Sequence, residues 1–410
     1  MTTQELFSLD KLRQEIARYF SVVNPLESGI TKIDFEGPRI AIYTRSREVF
    51  ASRDQIAKDL VTLIKKRVVI RPDDSIRVSR EEFEAEIKRR IKGVRSLIFN
   101  DLIGEVVVEL DPNVPPPSDD VVKSLSASTG WVVNVEIQPP MQTKIIEHAN
   151  NIIYGYPEER VQALRRIGEK VFRNQIFETR DARIVILGSG MQVGRSAILL
   201  QTSESKILLD CGFAPGSYNN IDMIPRFDVM ENLIEELDAV VITHAHLDHM
   251  GMVPYLFKYD YRGPVYCTEP TLPLMLMQHL DFINVAEKQG LFPPYTERDV
   301  RTAIQHTVPL SYGMVTNIAP DVRITFYNAG HILGSAIIHI HIGEGFHNVI
   351  YTSDFKYEPS RTLDAAVNRF PRAETLIMES TYGATPTQFT REESEKLLAS
   401  YIEKTIKRGG

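Results

Sequence analysis

Cysteine is nearly absent. Cys211 and Cys267 are the only two in 410 residues, too few for a disulfide framework, and this fits a reducing interior. Long apolar runs are missing as well. No stretch approaches the ~20 residues of a membrane span, and the polar start MTTQELFSLD is not that of a secretory signal. A soluble, cytoplasmic protein with no membrane partner is therefore expected. No charge of one sign dominates: the formal net charge of −7 neither demands nor excludes a nucleic-acid partner, because a basic groove can sit on an acidic protein. The hydrophobic content of 43% and charged content of 25% are those of an ordinary globular chain, and the length predicts two or three domains.

Histidine is scarce, ten in all, so its clustering carries information. The stretch THAHLDHMG, residues 243–251, packs His244, His246, Asp248 and His249 into six residues directly after the apolar run Ala239-Val240-Val241-Ile242. A β-branched run of that kind predicts a buried strand with the polar side chains on the loop at its C-terminal end. Neutral imidazoles and a carboxylate are the ligands that zinc-like ions take. In extended chain His244 and His246 share a side while Asp248 and His249 face elsewhere. One loop can then serve two neighbouring metal positions, His244 and His246 on one ion and Asp248 and His249 on the other.

Upstream, residues 8–20 have helical spacing at Leu12, Ile16 and Phe20, with Ser8 as N-cap. Strands are predicted at about 30–35 and 38–44, a helix over Ala51–Lys66, and a strand at Arg67–Arg71. The order recurs: a helix at Ser79–Ile91, strands at Val94–Phe99 and Glu105–Leu110, a helix at Ser118–Ser126 and a strand at Trp131–Ile137. Two small α+β units in tandem are an internal repeat. The alternation resembles a pair of KH domains of the prokaryotic topology, which bind single-stranded RNA. A KH domain clamps the RNA backbone with a GXXG loop between its central helices, and neither unit has one. The first offers Ser46-Arg47-Glu48-Val49 there and the second Pro115-Pro116-Pro117-Ser118-Asp119-Asp120; proline has no N–H for a phosphate, and two Asp repel one. Arg45, Arg47, Arg53, Lys65 and Lys66, with Arg67 beside them, keep the first unit a candidate RNA binder, against the plainer reading of a solvated charged face. Two helices, Thr143–Ile153 and Glu158–Asn174, follow Pro139-Pro140 as a linker or buttress.

From Ala182 the pattern changes to apolar runs ended by Gly or Asp, as in the strands of a layered sheet. Asp210 closes KILLD; its place ahead of the His cluster suits a carboxylate that accepts the second N–H of a liganding imidazole. His331 follows ITFYNAG and Asp354 follows NVIYTS, both at strand ends. His331 would complete the first ion's set, and Asp354 would bridge both ions. The helix Thr271–Glu287, with Met275, Met277 and His279, reads as core.

HxHxDH at 244–249, His331, Asp354 and the preceding Asp210 resemble the ordered metal motifs of the metallo-β-lactamase fold. LIMESTYG at 376–383 is similar to the first motif of its β-CASP nuclease branch, with Glu379 as the acid. With the tandem KH-like start, nearly the whole chain resembles the archaeal cleavage-and-polyadenylation-specificity-factor type ribonuclease. The resemblance implies an α+β multidomain fold: two KH-like αββααβ units, a four-layer αββα metallo-β-lactamase domain and the start of a β-CASP domain. The boundaries expected are 1–72 and 73–138 for the KH-like units, 139–181 for the helical linker, 182–383 for the metal domain and 384–410 for the last piece.

It further implies two Zn²⁺ per complete site and metal-dependent hydrolysis of RNA phosphodiester bonds, endonucleolytic and also 5′-to-3′ exonucleolytic, in RNA 3′-end formation and transcription termination. In that mechanism Asp248 binds metal and orients the nucleophile, and Glu379 positions an imidazole that protonates the leaving oxygen. Proteins of this type continue well past the equivalent of residue 410 and supply two further His motifs there, one of them a metal ligand. The chain is thus expected to lack that C-terminal half, through which a homodimer would form; single-stranded RNA and the transcription machinery are the other partners implied. Two other functions are compatible with these motifs: a non-catalytic RNA-binding or scaffold partner of a complete nuclease, and a small-molecule hydrolase on the same metal fold.

Overall fold

Leu12, Ile16 and Phe20 recur at four-residue spacing and are all buried, which makes α1 (Leu9–Val23) an amphipathic helix laid on a small sheet. The computed structural model of the chain describes residues 9–23, 29–141, 143–214, 220–386 and 389–409; the N-cap expected at Ser8 lies outside them. In the sheet, β1 (Ile30–Glu36) runs antiparallel to β2 (Arg39–Thr44), which runs parallel to β3 (Arg67–Pro72). The parallel step needs a crossover, supplied by α2 (Arg47–Ala51) and α3 (Arg53–Ile64). The second unit repeats the plan. After α4 (Arg80–Arg90), β4 (Val94–Asn100) pairs antiparallel with β5 (Glu105–Leu110), and β5 pairs parallel with β6 (Val132–Ile137) across α5 (Asp119–Thr129).

Three expectations are corrected here. The helix read over Ala51–Lys66 is α3, and a further short helix, α2, precedes it across Ser52, whose N–H bonds back to Glu48. Ser46–Val49 is consequently not the segment between the helices: Ser46 is the N-cap of α2, its hydroxyl accepting the Val49 N–H at 3.3 Å. And the second unit is αββαβ, with α5 alone between its parallel strands. Pro115–Pro117 supply no N–H groups to a second helix, and α5 starts only at Asp119.

Two helices, α6 (Lys144–Tyr154) and α7 (Pro157–Val171), follow. The Gly37 N–H donates to the Leu164 carbonyl at 2.9 Å, and Leu164, Ile167 and Val171 enter the same core as the first unit and both sheets of the larger domain. The linker helices therefore buttress as well as connect.

The larger domain stacks two sheets. The first contains β7 (Ala182–Gly188), β8 (Ala197–Thr202) and β9 (Lys206–Leu209), then, after the short helices α8 (Asn220–Met223) and α9 (Leu233–Glu236), β10 (Ala239–Val241). Past α10 (Leu247–Met250) and α11 (Val253–Lys258) come β11 (Val265–Thr268), the long α12 (Thr271–Lys288), α13 (Glu297–His306) and β12 (Thr307–Leu310). The strand order is β12-β11-β10-β9-β8-β7, with β9 to β12 parallel. The second sheet runs in sequence order: β13 (Thr316–Ala319), β14 (Val322–Asn328), β15 (Ala336–Ile342), β16 (His347–Tyr351) and β17 (Thr375–Ile377).

Strand alternation divides the apolar residues between faces. Ile198, Leu200, Ile207 and Val241 meet Ile324, Phe326, Ile338 and Ile340 between the sheets. Leu199, Leu208 and Val240 turn the other way, onto Met275, Leu276 and Val300 of α12 and α13. On the outer face of the second sheet, Ile337 and Ile350 are packed by Phe355 and Phe370 of a coil segment. Helix, sheet and sheet are thus three of the four layers expected. No helix among the described residues is long and apolar enough to cross a membrane.

The chain divides into two compact units, Met1–Ile377 and Met378–Gly410. The second carries α14 (Arg391–Lys407), started by a capping box between Thr390 and Glu393.

An ion pair joins the two small sheets. Buried Arg71 of β3 donates twice to Glu36 of β1, each bond 2.7 Å, and once to Glu105 of β5, also 2.7 Å. Burial opposes the Glu36 charge, but Arg39 and Arg71 hold its pKa down at about 2. Its folded value therefore lies below the ordinary one of 4.5, so the stabilisation is complete above that pH and lost as pH falls toward 2. Glu36→Gln, which leaves buried Arg71 with Glu105 as its remaining carboxylate, should cost up to about 3–5 kcal/mol at pH 7. Denaturant midpoints of wild type and variant should converge on acidification from pH 5 to pH 2; a constant difference would count against the pair.

Candidate metal centre

Parallel strands bring their C-terminal ends to one edge of a sheet, and ligand sites gather there. Asp210 follows β9 and the His loop follows its parallel neighbour β10. In the facing sheet β14 and β16 point the same way, because each is antiparallel to β15; His331 and Asp354 follow them. All four segments thus meet at one end of the sandwich. The Ala336 N–H donates to the Thr243 carbonyl at 2.9 Å across the two sheets.

His244, His246, His331 and Asp354 offer ligand atoms that all lie within 4.8 Å of one another. His246 Nδ1 stands 3.0 Å from His244 Nε2 and 3.2 Å from His331 Nε2. With Zn–N bonds of about 2.0–2.1 Å, two imidazole nitrogens on one tetrahedral ion sit roughly 3.3 Å apart. The donor set and its spacing therefore fit such an ion. Asp354 Oδ2 lies 3.5 Å from His331 Nε2, 3.9 Å from His244 Nε2 and 3.6 Å from His249 Nε2. Asp248 Oδ2 in turn is 3.7 Å from His249 Nε2. Asp354 stands between the two groups, where one carboxylate can serve two neighbouring ions. His244 and His249 are buried, while His246, Asp248, His331 and Asp354 are half-buried, so the centre has an inner wall and an open mouth.

Asp210 organises that inner wall. It is fully buried and takes the Thr243 N–H at 2.9 Å, the Thr243 hydroxyl at 2.9 Å, the Tyr351 hydroxyl at 2.9 Å and the Ser353 hydroxyl at 3.3 Å. Its Oδ2 lies 2.8 Å from His249 Nδ1, which leaves His249 Nε2 turned toward Asp248 and Asp354. Both Asp210 and Ser353 adopt left-handed backbone, φ 58° and 49°, a conformation that persists in non-glycine residues only where the surroundings enforce it. Thr243, Tyr351 and Ser353 were not picked out from the sequence. A hydroxyl inside an apolar strand leaves no spacing signal; their one cue is that Thr243 and Ser353 directly precede candidate ligands.

The electrostatics follow. Burial, reinforced by His249, His246 and His331, drives the His244 pKa far below the usual range, so this ring stays in the neutral form that metals bind. Burial also lowers His331. At His249 burial pulls the same way, but the hydrogen bond and charge of Asp210, with Asp354 and Asp248, raise it to about 9. Its Nε2 therefore holds a proton at neutral pH until a cation displaces it.

Glu379 belongs to the second compact unit, where its carboxylate accepts the Thr381 N–H at 2.7 Å. The five basic residues of the first KH-like unit lie around α2 and α3. Arg45 and Arg47 flank the start of α2, and Lys65 and Lys66 follow the end of α3, a helix of 12 residues and so about 18 Å long. Arg47 donates to the Ser128 carbonyl of the second unit at 3.0 Å, Arg53 lies over the Phe50 ring, and Lys66 lies over Phe172. His339 and His341 bond the Arg372 carbonyl and Asn348, and His279 is buried against the Met250 carbonyl, so all three serve the framework.

Residues 199–380, which span every candidate ligand and Asp210, match the metallo-β-lactamase superfamily domain. Residues 8–77 match the KH domain of transcription termination factor FttA. Transcription termination factor FttA of Pyrococcus abyssi is 41% identical over 98% of this chain and 64% of its own length. Those of Thermococcus kodakarensis and Lokiarchaeum sp. are each 40% identical, over 100% and 98% of this chain. The chain is similar to these archaeal factors over nearly its whole length. It combines a KH domain with a metallo-β-lactamase fold, and it spans about 64% of the length of the curated relatives it matches.

Gly212 tests how tightly this centre is built. A Cβ there would stand 1.7 Å from the Asp248 carbonyl oxygen and 2.7 Å from the Ser196 nitrogen. Gly212→Ala should push the His loop off Asp210, lowering stability by about 1–3 kcal/mol. Asp210→Asn should weaken metal binding about 10–100-fold, read by competition with a chelator. Unchanged metal affinity in Asp210→Asn would remove Asp210 from the centre.

Proposed function

We propose that this protein is a zinc-dependent ribonuclease of the β-CASP type that cleaves RNA phosphodiester bonds during transcription termination and RNA 3′-end formation. The convergence of His244, His246, His331 and Asp354, with Asp248 and His249 beside them, carries the reading. It is supported by homology to archaeal termination factors. In this reading His244, His246 and His331 hold one Zn²⁺, Asp248 and His249 hold a second, and Asp354 is shared. Such ions, when bound, act as Lewis acids on a phosphoryl oxygen and acidify water.

The chain's own groups do the rest. Asp248 is half-buried at the mouth, where it can bind metal and orient the attacking water. Asp210 keeps His249 in one orientation, so the ligands are pre-placed rather than gathered by substrate. Glu379 orients an imidazole that protonates the leaving oxygen. Endonucleolytic cleavage with 5′-to-3′ trimming, single-stranded RNA as substrate, and homodimeric association with the transcription machinery belong to the same proposal. So does the division of residues 1–138 into two KH-like units, 139–181 into a linker and 182–383 into the metal domain.

Metal content by elemental analysis and cleavage of an end-labelled single-stranded RNA, measured on the full natural protein, test it together. Two zinc ions per chain are expected, falling to one or none in His246→Ala. Cleavage should fall about 10³-fold or more with that ligand gone. Full metal loading with no RNA cleavage would favour a scaffold protein, and absence of metal would overturn the dinuclear centre.

A further inference from the structure

Helix α12 lies on the outer face of the first sheet and holds polar groups where the sequence reads core. Thr271, Met275 and His279 recur every four residues along it and are all buried. Met275 packs with Leu199, Leu208 and Val240 of the sheet. The polar residues on either side of it each reach a loop that carries candidate metal ligands.

The first is the loop of His331, a closed turn. The Ser335 hydroxyl accepts the His331 N–H at 3.1 Å and the Ile332 N–H at 3.2 Å, and the Ser335 N–H returns to the Ile332 carbonyl at 3.0 Å. A displacement of Gly334 is therefore passed on to His331. Gly334 is gripped at the junction of β11 and α12. The Thr268 hydroxyl donates to its carbonyl at 2.6 Å, and Thr271 Oγ1 stands 2.8 Å from Thr268 Oγ1 and 3.2 Å from the same carbonyl. The grip leaves no slack. A Cβ on Gly334, whose φ is 81°, would stand 2.8 Å from Thr271 Oγ1 and 2.9 Å from Thr268 Oγ1.

The second is the loop of residues 244–249. His279 Nε2 lies 3.1 Å from the Met250 carbonyl, one residue after His249. Burial holds the His279 pKa down at about 4, so the ring is neutral at pH 7. Its one N–H must then be on Nε2, which leaves Nδ1 an acceptor, and that atom is buried with no partner among the described residues. An apolar ring would fill the same space without stranding a nitrogen, so the residue type answers to the Met250 carbonyl. Thr271 and His279 are eight residues apart, about 12 Å of helix.

We propose that α12 is a strut that sets the distance between the two ligand loops, with Thr268, Thr271 and His279 as positioning residues for the metal centre. Each acts on a backbone carbonyl, three residues after His331 or one after His249. Asp210 aligns His249 from within, and α12 fixes both loops from outside. This role rests on the metal-binding reading given above.

Two measurements on the full natural protein test it: amide hydrogen exchange of the metal-free form, and zinc affinity by competition with a chelator. Thr268→Val together with Thr271→Val keeps side-chain volume and removes both hydroxyls. Exchange over residues 331–335 should rise, and zinc affinity should fall about 10–100-fold, as when other partners that orient ligands are lost. Thr268→Ser with Thr271→Ser keeps the hydroxyls and should restore both readouts. His279→Leu should loosen residues 248–251 and weaken zinc likewise, and His279→Gln, whose amide can still donate, should recover part of the loss. Faster exchange or a lower Tm with zinc affinity unchanged would make these residues merely structural and overturn the proposal. So would wild-type exchange and affinity in the Val pair. Wild-type protein that takes up no zinc would instead overturn the metalloenzyme reading, and the strut with it.

Discussion

A single buried carboxylate, that of Asp210, holds the metal centre together. An anion with no access to water is tolerated only where donors surround it, and here they come from Thr243, Tyr351, Ser353 and His249. Those donors lie on the loop after β10 and on the end of β16, in different sheets. Satisfying one charge therefore fixes where the sheets dock and which way the His249 ring faces. The ligands at the mouth inherit their positions from this inner set.

Much of the architecture was legible because it depends on period and punctuation. Leu12, Ile16 and Phe20 announced a helix face, and the Ala239–Ile242 run a buried strand. The His loop was legible for a different reason: ligands close in sequence need no fold to bring them near. His331 and Asp354 were picked out from their places at strand ends, a weaker cue; strands of one sheet deliver their ends to one edge, and the structure sets both residues beside His244 and His246.

The readings that missed concern interactions the chain cannot display locally. Ser52 separates α2 from α3 although Ala51-Ser52-Arg53 contains neither Gly nor Pro, so no breaker was visible. Lys66 read as one of the first unit's candidate RNA-binding cations; it lies over Phe172 of a distant segment, a contact that no local pattern announces. The pairing of Arg71 with Glu36 and Glu105 joins residues 34 and 35 positions apart, and charge composition does not say which acids meet which bases. The second unit's missing helix follows from Pro115–Pro117, whose effect on the αββααβ pattern is clear only once β5 and β6 are known to be parallel neighbours.

The donors of Asp210 also have a kinetic meaning. Ser353 and Asp210 are 143 residues apart, and His331 and His246 are 85 apart. Contacts of such long range pay their loop-closure entropy before they return any energy, and so they form late. While the chain is still emerging or partly collapsed, the histidines of residues 244–249 exist but their partners do not. A cation captured then meets only a weak site, and firm coordination waits until both sheets have closed. A cation held by these groups would thus be bound firmly only in molecules that have finished folding.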